Sequence, residues 1–323
     1  MKQILVTLPI ILLLFFLNAC DSDKDLDNDN QEGQIIQFQI EASGFGVSTA
    51  SSDTRLDVEG CEFEDGDEIG LFAVKWKKTD SVPDNNLESA EEKNFIHNAK
   101  LTYNSLSNEW IFETPVSYQA NAADVVYDFY AYYPYQEDMD PTAMNINGVL
   151  DNQEGRSTLG KSDFMTAYKR RHVYEDGTVK LKFEHHFSLV KLELPANDGG
   201  SSPFANVAFY TPAYVVDAFK LTNVALNGIP DSLIYIKNLT SGEKKNIVIG
   251  MHLSSSNDEN KVTYQAIVIP QTVTGDTPLF YYSLSDNKED NGLFSISSKN
   301  LITNGNGNFK KGKSYKFSYN YKP

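Results

Sequence analysis

The sequence predicts an all-β protein of two sandwich-like domains, on three observations. The chain carries 19 Phe and 18 Tyr in 323 residues, and aromatic and β-branched side chains fit a pleated, half-buried surface better than a helix. Period-two alternation of apolar and polar residues recurs along it, while long 3.6-residue periodicity is hard to find. Turn residues then separate the runs at short intervals, as at Gly66, Asn104–Asn108, Asn227-Gly228, Ser241-Gly242 and Lys311-Gly312, which is the punctuation of sandwich folds. An apolar fraction of 41% supplies the cores.

The chain opens with Lys2 and an apolar run, Ile4–Leu17. That run is shorter than the roughly 20 residues of a membrane-spanning helix and reads as a secretory signal. It ends in Leu17-Asn18-Ala19-Cys20, which resembles the bacterial lipobox. The resemblance implies a signal peptide at 1–19, cleavage before Cys20 and acylation of Cys20, with each buried methylene worth ~0.8 kcal/mol of membrane affinity. No later stretch is apolar enough to cross a bilayer. Residues 20–34 are almost wholly polar and read as a disordered acidic tether, because they bury too little to offset the entropy of ordering. Its acids match several calcium positions of an EF-hand loop, but Leu26 stands where that loop needs Gly, and no helices flank it. An acidic run behind a lipidated Cys also resembles the surface-export signal of Bacteroidetes lipoproteins.

The first domain is placed at 35–177. Ile36, Phe38 and Ile40 alternate with Gln37 and Gln39 as a half-buried strand. Ser48–Thr54 is a polar loop. Asp67–Trp76 is a strand after a turn at Gly66. Lys100–Tyr103 and Trp110–Glu113 flank a hairpin turn. Val125–Pro134 is a strand with Val125, Tyr127, Phe129 and Ala131 on one face and Tyr130 and Tyr132 on the other. Residues 136–177 read as loop-rich and inter-domain, interrupted by short ordered pieces such as Asp163–Ala167. The second domain is placed at 178–323. It begins with Val179–Leu189 in strict alternation, whose phase slips near Ser188 and predicts a bulge or bend. Strands are expected at Tyr214–Leu226, Leu233–Leu239, Asn246–Leu253, Val262–Ile269, Leu279–Leu284 and Ser314–Tyr321.

Chemistry is harder to find than structure. A net charge of −16 excludes nucleic-acid binding through general electrostatics. None of the common hydrolase, zinc, P-loop or dinucleotide motifs occurs, so no catalytic, cofactor or metal residue is assigned. His185 and His186 are adjacent and point to opposite faces of a strand, so they do not share a metal. Cys61 lies in no nucleophile signature. The tyrosine-rich strand has two readings: a core strand, or a ligand-stacking platform on Tyr130 and Tyr132, which would suit a surface-anchored glycan-binding lipoprotein that does not polymerise.

Seven pieces in order resemble the fimbrillin family of Bacteroidales surface pili. They are the lipobox with the first strand and Asp53-Thr54-Arg55; Gly66–Ala73; Tyr127–Pro134; Asp163–Ala167; Leu181–His185; Ile267–Thr272; and Gly312–Phe317. The resemblance implies two transthyretin-like β-sandwich domains in tandem and a structural, non-enzymatic role in adhesion. It implies export as an outer-membrane lipoprotein through the lipid on Cys20, and cutting by an arginine-specific protease between Arg55 and Leu56. It also implies assembly with other pilin subunits by strand addition into the vacated groove, with a host or bacterial surface ligand as a further partner. Arg55 is one of four arginines and follows the first strand in an open loop. With Tyr315–Tyr321 read as the last strand, only Lys322 and Pro323 remain as a donor segment, which suits a tip or accessory subunit.

Overall fold

The computed structural model describes residues 33–47, 62–80, 87–119, 122–142, 144, 149–196, 204–216, 219–221, 234–236, 239–249, 251–252, 261–274, 278–284, 294–297 and 306–319. Among these residues strands dominate. No helix among the described residues is long and apolar enough to cross a membrane.

Seven strands form the first sheet: β1 Phe38–Ala42, β2 Glu68–Lys77, β3 Ile96–Asn104, β4 Glu109–Phe112, β5 Val125–Tyr133, β6 Met165–Val173 and β7 Val179–His185. Their order across the sheet is β1-β7-β6-β5-β2-β3-β4. The first strand runs parallel to β7, whereas β2 through β6 pair antiparallel. The alternation in β5 sorts its side chains into two cores. Tyr127, Phe129 and Ala131 join Ile69, Leu71, Val179 and Phe183 on one face. Tyr130 and Tyr132 join Phe72, Val74, Phe187 and Leu189 on the other. A sheet covered on both faces needs apolar residues at consecutive positions, which is why β2 and β5 read as nearly unbroken apolar runs.

The second half continues with β8 Ser188–Pro195, β9 Phe204–Val216, β10 Leu239–Ile249, β11 Lys261–Val268, β12 Pro278–Leu284, β13 Phe294–Ser297 and β14 Lys313–Ser318. Two five-stranded sheets result. One runs Met251–His252, β11, β8, β14 and Gly46–Val47; the other runs β13, β12, β9, β10 and Asn152–Gln153. Their shared core holds Val190, Leu192, Leu194, Phe209, Phe280 and Phe317. Leu189, Ile267 and Ile269 of the second half reach the core that holds Tyr130 and Tyr132. The Gln153 side chain, fully buried, acts as a polar bridge: its amide donates to Ile267 O at 3.0 Å and accepts from Ile267 N at 2.8 Å.

Three differences from the sequence reading have physical causes. The slip near Ser188 is more than a bend: β7 ends at His185 in the first sheet and β8 begins at Ser188 in another. The loop-rich stretch of 136–177 contains a helix, Arg156–Lys161, and β6, which lies inside the first sheet between β5 and β7. Its signal is hidden because Lys169-Arg170-Arg171 interrupts the alternation. There the register shifts opposite Tyr127–Phe129, Arg171 has φ of 53°, and the buried Asp128 carboxylate accepts the Arg171 N–H at 2.7 Å. Finally, β9 starts ten residues before the expected strand at Tyr214. Pro212 argues against a strand interior, and the register slips between Pro212 and Tyr214 to accommodate it.

Candidate functional site: the N-terminal strap and its groove

Residues 34–47 form a strap that is stitched to three parts of the fold. At its start, Gln34 O accepts the Tyr118 N–H at 3.0 Å and Ile36 N donates to Val116 O at 2.9 Å. In its middle, β1 pairs with β7 from Phe38 opposite Val179 to Ala42 opposite Phe183, and Ser43 N donates to Phe183 O at 2.8 Å. At its end, Gly46 and Val47 pair parallel with Lys313 and Ser314 of β14. The strap therefore leaves the first sheet and joins the second within three residues.

Side chains follow from the alternation. Ile36 is buried. Phe38 sets its ring edge-on to Phe129 at 5.4 Å and to Phe112 at 5.5 Å. Gly44 and Gly46 flank Phe45, which is 2% exposed in the core with Tyr130 and Tyr132. A lone aromatic between two glycines was the available signal for this anchor, but glycines read first as strand breakers.

The contact of Phe38 with Phe112 brings the two outermost strands of the sheet, β1 and β4, close together. Between them lies a groove of about 960 Å³ lined by Phe38, Ile40, Phe63, Tyr103, Trp110 and Phe112 among others. Trp110 and Phe63 meet edge-on at 4.8 Å. The site thus offers unpaired strand edges above an aromatic floor, and an extended segment satisfies both kinds of surface at once.

At the point where the strap changes sheets, the buried His185 ring holds it. Its Nδ1 lies 2.6 Å from Asp163 Oδ2 and its Nε2 lies 2.5 Å from the Ser43 carbonyl oxygen. Phe45 stacks on the ring at 3.7 Å with an interplanar angle of 18°. The neighbouring His186 faces elsewhere, with Nε2 2.7 Å from Thr166 Oγ1. The expectation that the two rings part company agrees with this placement. Among the described residues no group of three or more metal-ligating side chains occurs.

Burial pushes the His186 imidazole down to about 3, helped by the charge of Lys311. Burial also lowers His172. Between about 3 and the unfolded value of about 6.5, the unfolded chain binds a proton that folded His186 refuses. Stability therefore falls as pH drops through that window, by up to ~1.4 kcal/mol per pH unit for one such group. Urea midpoints at pH 7 and pH 5 should show this loss, and His186→Gln should flatten it; an equal slope in the variant would assign the loss to other groups.

The residues singled out in the sequence divide in two. Cys20, Arg55, Leu56 and Cys61 lie outside the described residues. Tyr130 and Tyr132 are fully buried, so neither ring has a face for a ligand to stack on. The Tyr132 hydroxyl donates to Asn98 Oδ1 at 2.6 Å, and burial drives both phenols well above their ordinary range. The platform reading gives way to the core reading because the second half of the chain covers that face.

A family model described as fimbrillin-like matches residues 53–323. A curated Bacteroides ovatus protein, named as a fimbrium tip subunit, Fim1C, is 27% identical over 210 residues, covering 60% of this chain and 35% of its own. The chain thus spans about a third of the length of that relative. Two solved structures described as cell adhesion proteins share the fold. One from Bacteroides ovatus has a TM-score of 0.52 at 15% identity, covering 90% of this chain and 94% of its own. One from Bacteroides uniformis has a TM-score of 0.51 at 16% identity, covering 89% and 93%.

Proposed function

The chain belongs to the fimbrillin-like family, and from that premise we propose that it is a non-enzymatic subunit of a cell-surface fimbrium, acting in adhesion and joined to its neighbours by strand exchange. The observation that carries this reading is the strap. A segment ahead of Arg55 fills one edge of the first sheet, and it is joined to the body through 14 residues outside the described set, 48–61, in which Arg55 lies. Cutting between Arg55 and Leu56 would free the strap together with the lipid-bearing Cys20. The edge of β7 and the seat of Phe45 would then await an extended segment from another subunit. Before the cut, the acylated Cys20 and its tether at 20–34 hold the subunit on the outer membrane. The two halves, which part between β7 ending at His185 and β8 beginning at Ser188 rather than at 177/178, then form the extracellular body. The name of the Bacteroides ovatus relative favours a place at the fimbrial tip.

Mass spectrometry of the mature N-terminus on cells tests this directly. A chain starting at Leu56 in the assembled fraction is expected, with Arg55→Ala remaining anchored and unassembled. An assembled fraction that still begins at Cys20 would remove strap release from the account.

A further inference from the structure

We propose that Asp163 and His185 form a latch that holds the strap and selects the segment that replaces it. The proposal rests on the strand-exchange reading and adds what the incoming segment must present. His185 stands at the last position of β7, where the strap leaves β1 for β14. Both ring nitrogens face acceptors: Nδ1 meets the Asp163 carboxylate and Nε2 meets the Ser43 carbonyl. A carbonyl oxygen has no hydrogen to give, so Nε2 carries one. The contact at Nδ1 also needs a hydrogen between nitrogen and oxygen, so the Asp163–His185 pair holds one proton more than a neutral imidazole and a carboxylate carry. The pair shares that one extra proton in a site shielded from water, and the Phe45 ring lies flat on the imidazole.

This geometry reads two features of any segment that takes the strap's seat beside β7. The first is a backbone carbonyl at the place of Ser43, which every residue supplies. The second is an aromatic ring two residues later, at the place of Phe45, which few do. Without that cover the buried His185 ring is left against water or a void. The occupant fitted to this site is therefore an extended segment of another fimbrial subunit. It carries apolar side chains at the alternating places of Ile36, Phe38, Ile40 and Ala42, and an aromatic residue three places beyond the last. A segment that ends in a small or polar residue at the fifth place would pair with β7 but leave the latch open.

Hydrogen–deuterium exchange on the uncut chain tests the latch without reference to Arg55. In Asp163→Asn and in His185→Phe, the amides of Phe38–Gly46 should exchange at least tenfold faster, while those of Val126–Tyr132 change less than twofold. Phe45→Tyr should exchange as the wild type does, and Phe45→Leu should match the latch variants. Strap amides that keep their wild-type rates, or that quicken only in step with Val126–Tyr132, overturn the proposal. Should His185→Phe fail to fold, Asp163→Asn and the Phe45 pair decide it. Because cleavage plays no part, a chain never processed at Arg55 leaves the latch standing and removes only the strand-exchange reading.

Discussion

Phe45→Ala is expected to lower the free energy of unfolding by about 3–5 kcal/mol, the range for deleting a buried phenylalanine. The ring is 2% exposed and sits among Phe72, Tyr130, Met139, Phe187 and Ile267, which come from both halves of the chain. Phe72, Tyr130 and Ile267 are held in strands and do not collapse freely into the space, so the cavity term adds to the lost transfer energy. The strap also loses its stacking partner on His185. Urea denaturation of the full chain measures the loss. A change below about 1 kcal/mol would show that the core closes over the vacancy and that Phe45 is no anchor.

Gly70→Ala is expected to cost about 2–3 kcal/mol or more, through overpacking rather than loss. Gly70 lies directly opposite Tyr132 in the pairing of β2 with β5. A Cβ there would stand 2.1 Å from Tyr132 Cε1 and 2.4 Å from Cζ. The ring has no retreat: its hydroxyl donates to Asn98 Oδ1 at 2.6 Å, lies 2.9 Å from Gln136 O and accepts from the Gln136 N–H, and Phe72 stacks beside it at 6.0 Å. The cost therefore belongs to the pair. In a Tyr132→Ala background the same glycine substitution should cost less than about 0.5 kcal/mol, a coupling that a double-mutant cycle resolves. If the cost persists without the ring, backbone conformation at Gly70 is responsible instead.

Much of the sheet could be read from side-chain period alone. The strand expected at Val125–Pro134 is found at Val125–Tyr133, and its two faces divide between cores as the alternation requires. The hairpin at Asn104–Asn108 joins β3 to β4; Asn104 Oδ1 accepts two turn amides and Asn108 takes a positive φ. The turn at Gly66 has φ of 83°, where only glycine is at ease. What stayed hidden is what alternation does not encode. Whether a phase slip marks a bulge or a change of sheet depends on contacts far along the chain, and His185–Ser188 looks the same in either case. The strap itself was legible as a strand through Ile36, Phe38 and Ile40, but its parallel partner was not, since β7 lies nearly 140 residues later. The latch was hidden for a simpler reason. Asp163, His185 and Ser43 are ordinary residues in sequence, and only the crossing of the strap brings them together.

The parallel pairing of β1 with β7 has a bearing on assembly. A segment that takes the strap's place by the same hydrogen bonds can lie in one direction only, entering beside Val116–Tyr118 and leaving toward β14. Where that segment is given one way, each subunit filling the next, the contact is head-to-tail and leaves a free acceptor at one end and a free donor at the other. Contacts of that kind do not close into a dimer; unless the rotation between subunits closes a ring, they propagate. The hand of one short strand against its neighbour would thus give a fibre built this way two unlike ends, and a subunit committed to one of those ends needs only half of the joint.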